Sequence, residues 1–479
     1  MALYNIQYLC PAKAKMLINC YRSGSSLFVG GTVLWSREGT TQGDPLAMIM
    51  FGLATVPLIE RLKSTGTVQC WFADDASSGG KILRLRDWWE ALLKAGPLYG
   101  YFPNPSKTYL LAKPETYTEA IEVFSGTNVE ITCTGRKYLG GAMGSSAFEL
   151  AFMTEKAATW KEEVEQLAKF AKTQPHAAYA AFTHGLIGRW TFAARVSSLS
   201  ASEVLKPLEE AISQTLIPAL TTQAAPSEAT RRLLALPARW GGMGIVDPVQ
   251  WSKQQQTISK AVCQPLVDAI KQDGDVSMAT HDQRNIKQQL RAQRQVHIKE
   301  EAEAIIAVLP ETQRKCALSA QEKGTSSWLG ALPIKHLGFS LHKGAFWDAV
   351  CLRYGWDLRL TPLKCRCGEG FEVNHVLTCR QGGFHTIRHN ELRDTIAGLL
   401  QEVCPEVTTE PLLQPLSGER LPQSANRDAN ARLDIRAKAF WDGMQDAFFD
   451  VRVFHPFAPS YRNQKLTSTY RQHELKKAA

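Results

Sequence analysis

The chain has 479 residues, 44% of them hydrophobic and 21% charged, with a formal net charge of +9. A length of that order holds about three ordinary domains, and the apolar share excludes wholesale disorder. No uninterrupted apolar run reaches the length of a bilayer span, and the cationic excess suits a polyanionic partner.

Eleven cysteines, an odd number, run from Cys10 to Cys404. No charged-then-apolar leader precedes them, and Pro11 interrupts the one early apolar candidate. Reduced thiols in the cytosol or nucleus are expected, not a disulfide framework.

In chain order, the first residues predict a helix over Ala12 to Tyr21, then a strand-turn-strand around Phe28, Val29, Gly30 and Gly31. At Gly43-Asp44-Pro45 an aspartate suits an N-cap and a proline suits the first helical position. A helix is expected from about Pro45, with Leu46, Ile49, Met50 and Leu53 on one apolar stripe, until Pro57 bends or ends it. Asp44 reads as the cap. Gln42 and Gly43 are the substrate-facing candidates, because a glycine lets backbone approach a base pair closely.

Val68 to Phe72 is strand-forming and runs into Asp74 and Asp75, followed by small residues and glycines. A tight hairpin with acids at its tip is expected. Adjacent carboxylates repel and gather a cation, and Mg²⁺ takes carboxylate oxygens together with substrate phosphates. A pair of such ions activates the attacking oxygen and stabilises the leaving one in phosphoryl transfer. Asp74 is the main ligand candidate and Asp75 its neighbour, although an isolated Asp-Asp is more often a polar turn. Lys107 is a candidate partner for a triphosphate.

From about residue 150 the texture turns helical. Trp160, Val164, Leu167, Ala168 and Ala171 recur at helical spacing, with acids and a lysine opposite. Helices are also expected over His176 to Val196 and Pro207 to Leu220, with His176 and His184 as ordinary histidines. A helix around 281 to 305 carries Arg284, Lys287, Arg291 and Arg294 on one face, where they could track phosphates. A solvated face beside Glu300, Glu301 and Glu303 is an equal reading. Residues 308 to 330, with Pro310, Gly324 and neighbouring hydroxyls, read as a linker.

Cys365, Cys367, His375 and Cys379 place four soft or borderline ligands within fifteen positions. Three thiolates and an imidazole suit tetrahedral, structural Zn²⁺, with His385 or His389 as spare ligands and buried free thiols as the plainer reading. A helix then opens at Arg388-His389-Asn390 and reaches about Val403. Beyond it Asp434 and Asp450 stand at the ends of apolar strands with a turn at Asp442-Gly443 between them, which describes a hairpin. Such a hairpin could bring both carboxylates to one metal, with Glu410 as a further acid. Phe440, Trp441, Phe448 and Phe449 read as core.

Four strings in the first third, Gly39 to Met48, Phe72 to Asp75, Asn104 to Thr108 and Lys137 to Gly141, resemble in order and spacing the palm of non-LTR retrotransposon reverse transcriptases. Leu236 to Ile245 resembles the glycine turn of their thumb. The C-x-C-x7-H-x3-C pattern resembles the zinc knuckle before their nuclease, whose expected job is to hold DNA. Asp434 and Asp450 resemble the Mg²⁺ ligands of their restriction-like PD-(D/E)xK endonuclease. Leu433 stands in place of the usual proline, and Arg452 where the signature lysine would be. Lys476 or Lys477, with Lys477 preferred, fits the later lysine of this family.

The resemblance implies an α+β multidomain chain. Its parts would be a partial palm (1–148), a helical thumb and connector (149–308), a linker (309–362), a zinc knuckle (363–386) and an incomplete nuclease (387–479). It implies target-primed reverse transcription in the nucleus, with Mg²⁺, Zn²⁺, an RNA template, a DNA target and deoxynucleoside triphosphates, and no membrane. The palm of the family carries an earlier metal-binding aspartate, and this chain begins inside the linker that follows it. Polymerisation by this chain alone is therefore expected to fail, while Asp434 and Asp450 leave nicking open. The alternative is a nucleic-acid-binding remnant or host-retained protein with no chemistry.

Overall fold

The computed structural model describes residues 2–37, 39–40, 43–197, 202–271, 283–413, 430–442, 445–461 and 464–478, without the side chains of 202, 270, 283, 442 and 476–478. Gln42 and the turn residue Gly443 lie outside the described residues, as does the side chain of Lys477. Helix and sheet are mixed, with helix dominant and the strands gathered in small sheets. Among the described residues no helix is long and apolar enough to cross a membrane. The chain divides into two compact units: Met1–Glu162, Gly188–Glu209 and Pro248–Gln283 form the first, and Glu163–Ile187, Glu210–Asp247 and Arg284–Ala479 the second.

In the first unit, helices Ala2–Leu9 and Pro11–Tyr21 close a small core of Ile6, Leu17 and Met50. Strands β1 (Ser25–Val29) and β2 (Thr32–Ser36) then form an antiparallel ribbon. Its two-residue tip, Gly30-Gly31, has both φ angles positive, the conformation that matches the twist of a hairpin and that glycine adopts without strain.

Helix Ala47–Leu62 runs through Pro57 where the sequence suggested a bend or an end. A proline removes the N–H that would bond the carbonyl four residues earlier, here that of Leu53. The buried Asn5 side chain supplies the substitute, donating to the Leu53 carbonyl at 3.0 Å. A distant amide thus keeps the helix intact.

Strands β3 (Val68–Phe72) and β4 (Asp75–Gly79) make the expected hairpin, and helix Ile82–Ala95 covers one of its faces through Trp88, Trp89 and Leu92. Gln69 anchors that face: its carbonyl oxygen accepts the indole N–H of Trp71 at 3.2 Å and of Trp88 at 3.1 Å. Strands β5 (Tyr109–Leu111) and β6 (Glu130–Thr132) are parallel, joined across helix Tyr117–Val123. Strands β7 (Gly135–Tyr138) and β8 (Gly141–Gly144) form a hairpin turned at Leu139-Gly140, both with positive φ.

Helix Ser146–Ala171 buries Trp160, Val164, Ala168 and Ala171, the stripe its period predicts. In the second unit the Leu236–Ile245 turn is built around buried guanidinium groups. Arg353 donates to the carbonyls of Ala238 (2.8 Å) and Gly242 (3.0 Å), and Arg231 to that of Ile245 (2.7 Å). A Cβ on Gly242 would lie 1.9 Å from the Leu236 carbonyl oxygen, so only glycine fits. The stretch expected as a linker contains helix Glu311–Ala320, with Cys316, Ala317 and Ala320 buried. Its apolar face was masked in the sequence by the flanking proline and hydroxyl residues.

The last sheet joins β9 (Val407–Thr409), β10 (Ile435–Asp442) and β11 (Gln445–Phe449) in the order β11-β10-β9, all antiparallel, against Ala397 and Leu400 of helix Phe384–Gln401. The β10–β11 register shifts between Ala437 and Asp442, where Ala439 has φ 55°, a bulge. The bulge resets the alternation of faces. Phe440 and Phe449 pack into the core as expected, whereas Trp441 and Phe448 are 73% and 47% exposed, against expectation.

Candidate metal centre

Residues 363–371 fold back on themselves as a tight turn. The Cys365 N–H donates to the Glu369 carbonyl (2.8 Å), the Gly368 N–H to the Cys365 carbonyl (2.9 Å), and the Phe371 N–H to the Leu363 carbonyl (3.2 Å). Gly368 has φ 94°, a conformation a side chain would strain. This turn aims Cys365 and Cys367 at the short helix Val373–Val376, which carries His375, and at Cys379 just beyond it.

One ligand atom from each of Cys365, Cys367, His375 and Cys379 lies within 4.8 Å of every other. Cys367 Sγ is 3.1 Å from His375 Nε2. A tetrahedron with 2.3 Å metal–sulfur bonds has edges of about 3.8 Å, so the longer separations need close in, and the Cys367–His375 pair open, by only about 1 Å or less around an ion. Cys365 and Cys379 are buried, and Cys367 and His375 half-buried. Among the described residues this is the one group of three or more such side chains that could hold a metal.

The surroundings favour thiolate at one corner. The Gly382 N–H, helped by that of Gln381 and by the Cys365 and Cys367 thiols, holds the Cys379 thiol below its usual range. The Glu369 N–H pulls Cys367 the same way, but desolvation and the neighbouring thiols outweigh it and leave Cys367 raised. Backbone N–H groups aimed at sulfur are the outer contacts that orient thiolate ligands on a metal. Three thiols and one imidazole could hold a metal such as zinc.

The turn is tied to the chain that follows. Asn374, beside the ligand His375, has its side-chain oxygen 2.8 Å from His455 Nε2, and Arg388 donates to the Leu377 carbonyl at 3.0 Å. Burial, reinforced by the Arg388 charge, pushes the His455 imidazole down to about 4. The spare ligands do not join the cluster: His385 is exposed, and His389 Nε2 lies 3.2 Å from Asp434 Oδ1.

Asp434 and Asp450 stand at the same end of their hairpin. Ile435 pairs with Phe449 and with Thr409, so Asp434, Asp450 and Glu410 are next in register and form one row across three strands. The Asp434 N–H donates to the Phe449 carbonyl (3.1 Å), and the Glu410 N–H to the Asp434 carbonyl (2.9 Å). Their carboxylate oxygens are engaged by the protein. Asp434 also accepts the Val451 N–H, and Glu410 accepts Arg393. Asp434 is largely covered, whereas Asp450 is exposed.

At the other acidic hairpin, Phe72 pairs with Asp75, and Ala73 and Asp74 form the tip. Ala73 has φ 53°, a left-handed position that a two-residue hairpin usually gives to glycine. Both aspartates are exposed, and among the described residues no side-chain or backbone donor engages either carboxylate. Tyr101 Oη donates to the Asp74 carbonyl (2.7 Å), and Tyr138 Oη to Ser77 Oγ (3.0 Å).

Gly43 is exposed with φ 92°, and Lys107 is exposed at the end of a short 3₁₀ turn. Asp44 is not the N-cap expected, because the helix starts at Ala47 with Leu46 as its N-cap; it is a structural anchor, with Tyr21 Oη donating to its Oδ2 and the Leu46 N–H to its Oδ1 at 2.9 Å. Those two bonds hold its carboxyl below the usual range, the tyrosine contributing most. On helix Gln283–Ala307, Arg284, Lys287 and Arg291 are exposed, but Arg294 is half-buried, and desolvation lowers its pKa.

Sequence reasoning missed Arg393, His389 and His455 as partners of the acidic row and the metal turn. The signal available was the basic string Arg388-His389 and Arg393 one helical turn apart. Comparison with known protein families finds no match for this chain, and comparison with curated proteins finds none.

Proposed function

We propose that the chain is a zinc-holding nucleic-acid protein of the non-LTR retrotransposon type, which grips DNA through its Cys/His turn and nicks it at the acidic row beyond. The observation that carries this reading is the convergence of Cys365, Cys367, His375 and Cys379 in the same compact unit as Glu410, Asp434 and Asp450. Zinc, when bound, supplies a structural cross-link. Asn374 and the Leu377 carbonyl transmit its rigidity to His455 and Arg388. Asp434 and Asp450 would hold Mg²⁺, and such an ion would supply the charge that favours ionisation of an attacking water and offsets the charge on a leaving oxygen. Arg393 sets the position of Glu410, and His389 that of Asp434. In the first unit, Asp74 and Asp75 are the counterpart acids for polymerisation, with Gly43 and Lys107 toward the nucleotide.

The test is a supercoiled-plasmid nicking assay with Mg²⁺ on the full chain, paired with primer extension on an RNA template. Nicking that disappears with Asp450→Ala supports the reading. A full-length, zinc-loaded chain that gives neither product sinks the enzymatic part of it. The second reading, nucleic-acid binding with no chemistry, draws on the protein donors that already occupy Asp434 and Glu410. It predicts retained DNA binding with no product at any Mg²⁺ concentration.

A further inference from the structure

The β1–β2 ribbon leaves most of both faces uncovered, with Leu27 alone of its apolar side chains half-buried. Register places Phe28 and Trp35 on one face together with Val33, and Val29 and Leu34 on the other. Phe28 is 79% exposed and Trp35 62%, with Val29, Val33 and Leu34 also exposed. Burying none of five large apolar side chains is costly in water, and such a patch marks a surface that meets something else.

Charge says what that partner is. Residues 2–40 contain Lys13, Lys15, Arg22 and Arg37 against a single acid, Glu38. All four cations are exposed, and none has an acidic partner among the described residues. Arg22 and Arg37 flank the open end of the ribbon, where Ser25 pairs with Ser36. A Cβ on Gly24 would meet the Ser36 carbonyl oxygen at 3.0 Å, the Arg37 Cγ at 3.6 Å and the Trp35 ring at 3.7 Å, so the chain entering the ribbon passes close to both side chains. Exposed rings on a ribbon whose open end carries two cations form a pattern that can stack bases while tracking their backbone.

We infer that the β1–β2 ribbon is a contact surface for single-stranded nucleic acid, with Phe28 and Trp35 stacking on bases and Arg22 and Arg37 meeting phosphates. The inference rests on the nucleic-acid reading above but not on catalysis.

The test is fluorescence anisotropy of the zinc-loaded full chain, without Mg²⁺, against a labelled single-stranded 20-mer of RNA, its DNA counterpart and a duplex of the same sequence. The double variant Phe28→Ala/Trp35→Ala should weaken single-strand binding by about tenfold or more with an unchanged salt slope. Arg22→Ala/Arg37→Ala should weaken it and flatten the slope by about one to one and a half. Because these side chains are exposed, both variants should keep the wild-type melting temperature. Wild-type single-strand affinity in both variants overturns the inference, while nicking by the wild type leaves the broader reading standing. Loss of a concentration-dependent dimer in Phe28→Ala/Trp35→Ala, with affinity unchanged, overturns it in favour of self-association.

Discussion

The two acidic hairpins start from the same sequence signal, an apolar strand ending in aspartate, and fold into different environments. At β3–β4 the carboxylates of Asp74 and Asp75 stand in solvent with no engaged donors among the described residues, on a tip strained at Ala73. At β10–β11, Asp434 is largely covered and held by His389 and the Val451 N–H, and it lines up with Glu410 and Asp450. The first pair is exposed and open to an incoming ion. In the second, Asp434 and Glu410 are already held by protein donors, and the Cys/His turn is tied to the residues around them. An acid pair in a sequence marks where a cation could go, but only the contacts around it decide whether its geometry is set in advance.

Removing zinc should separate the two hairpins most strongly. Cys365→Ser or chelation is expected to cost the bound metal, read by elemental analysis, and to raise amide exchange across 363–379 and the start of helix Phe384–Gln401. Exchange across 68–79 should stay as in the wild type. Equal loosening of both stretches would refute the idea that the metal turn supports only one of them.

Substitution of the acids comes next. Asp434→Asn and Asp450→Asn are each expected to lower nicking by about a hundredfold or more, while Asp75→Asn leaves it unchanged. Arg393→Ala, which leaves Glu410 with only the longer Arg432 contact, should lower it by roughly ten- to a hundredfold, the usual loss when an outer-contact residue is removed.

The third test is pH. His455 is held down to about 4 by burial and the Arg388 charge. A histidine that titrates near 6.5 when unfolded takes up its proton there first. Stability of the second unit should therefore be level above pH 6.5 and decline as the pH falls toward about 4. His455→Gln should flatten that decline in a thermal-melting series, and a slope identical to the wild type would remove His455 from the account. The smallest effect lies at the strained tip. Ala73→Gly should stabilise the first unit by about 1 kcal/mol or less, because glycine adopts positive φ without a Cβ clash.

Much of this was legible in the chain. The paired strands around Asp74-Asp75, the glycine tip at Gly30-Gly31, the buried stripe of Trp160 to Ala171 and the four-ligand spacing at Cys365 to Cys379 all follow from period, turn chemistry and ligand arithmetic. What failed to show depended on residues far away in sequence. Pro57 did not end its helix because Asn5 took the orphaned carbonyl, and the Leu236–Ile245 turn was a set of backbone acceptors waiting for Arg231 and Arg353. Trp441 faced solvent because a bulge at Ala439 shifted the alternation by a residue, and Phe448 because strand alternation puts it opposite the inward Ala447 and Phe449.

By itself the sequence settled which residue types stand at which local spacing: strand-forming runs, turn glycines, and thiols close enough to share an ion. Local geometry is dictated by φ preferences and side-chain period, which each short segment carries within it. Tertiary structure alone decided which acids are held by donors, which rings are left bare and which helix survives its proline. Those outcomes depend on hydrogen-bond partners and packing surfaces contributed by segments tens to hundreds of residues apart, and no local pattern encodes them.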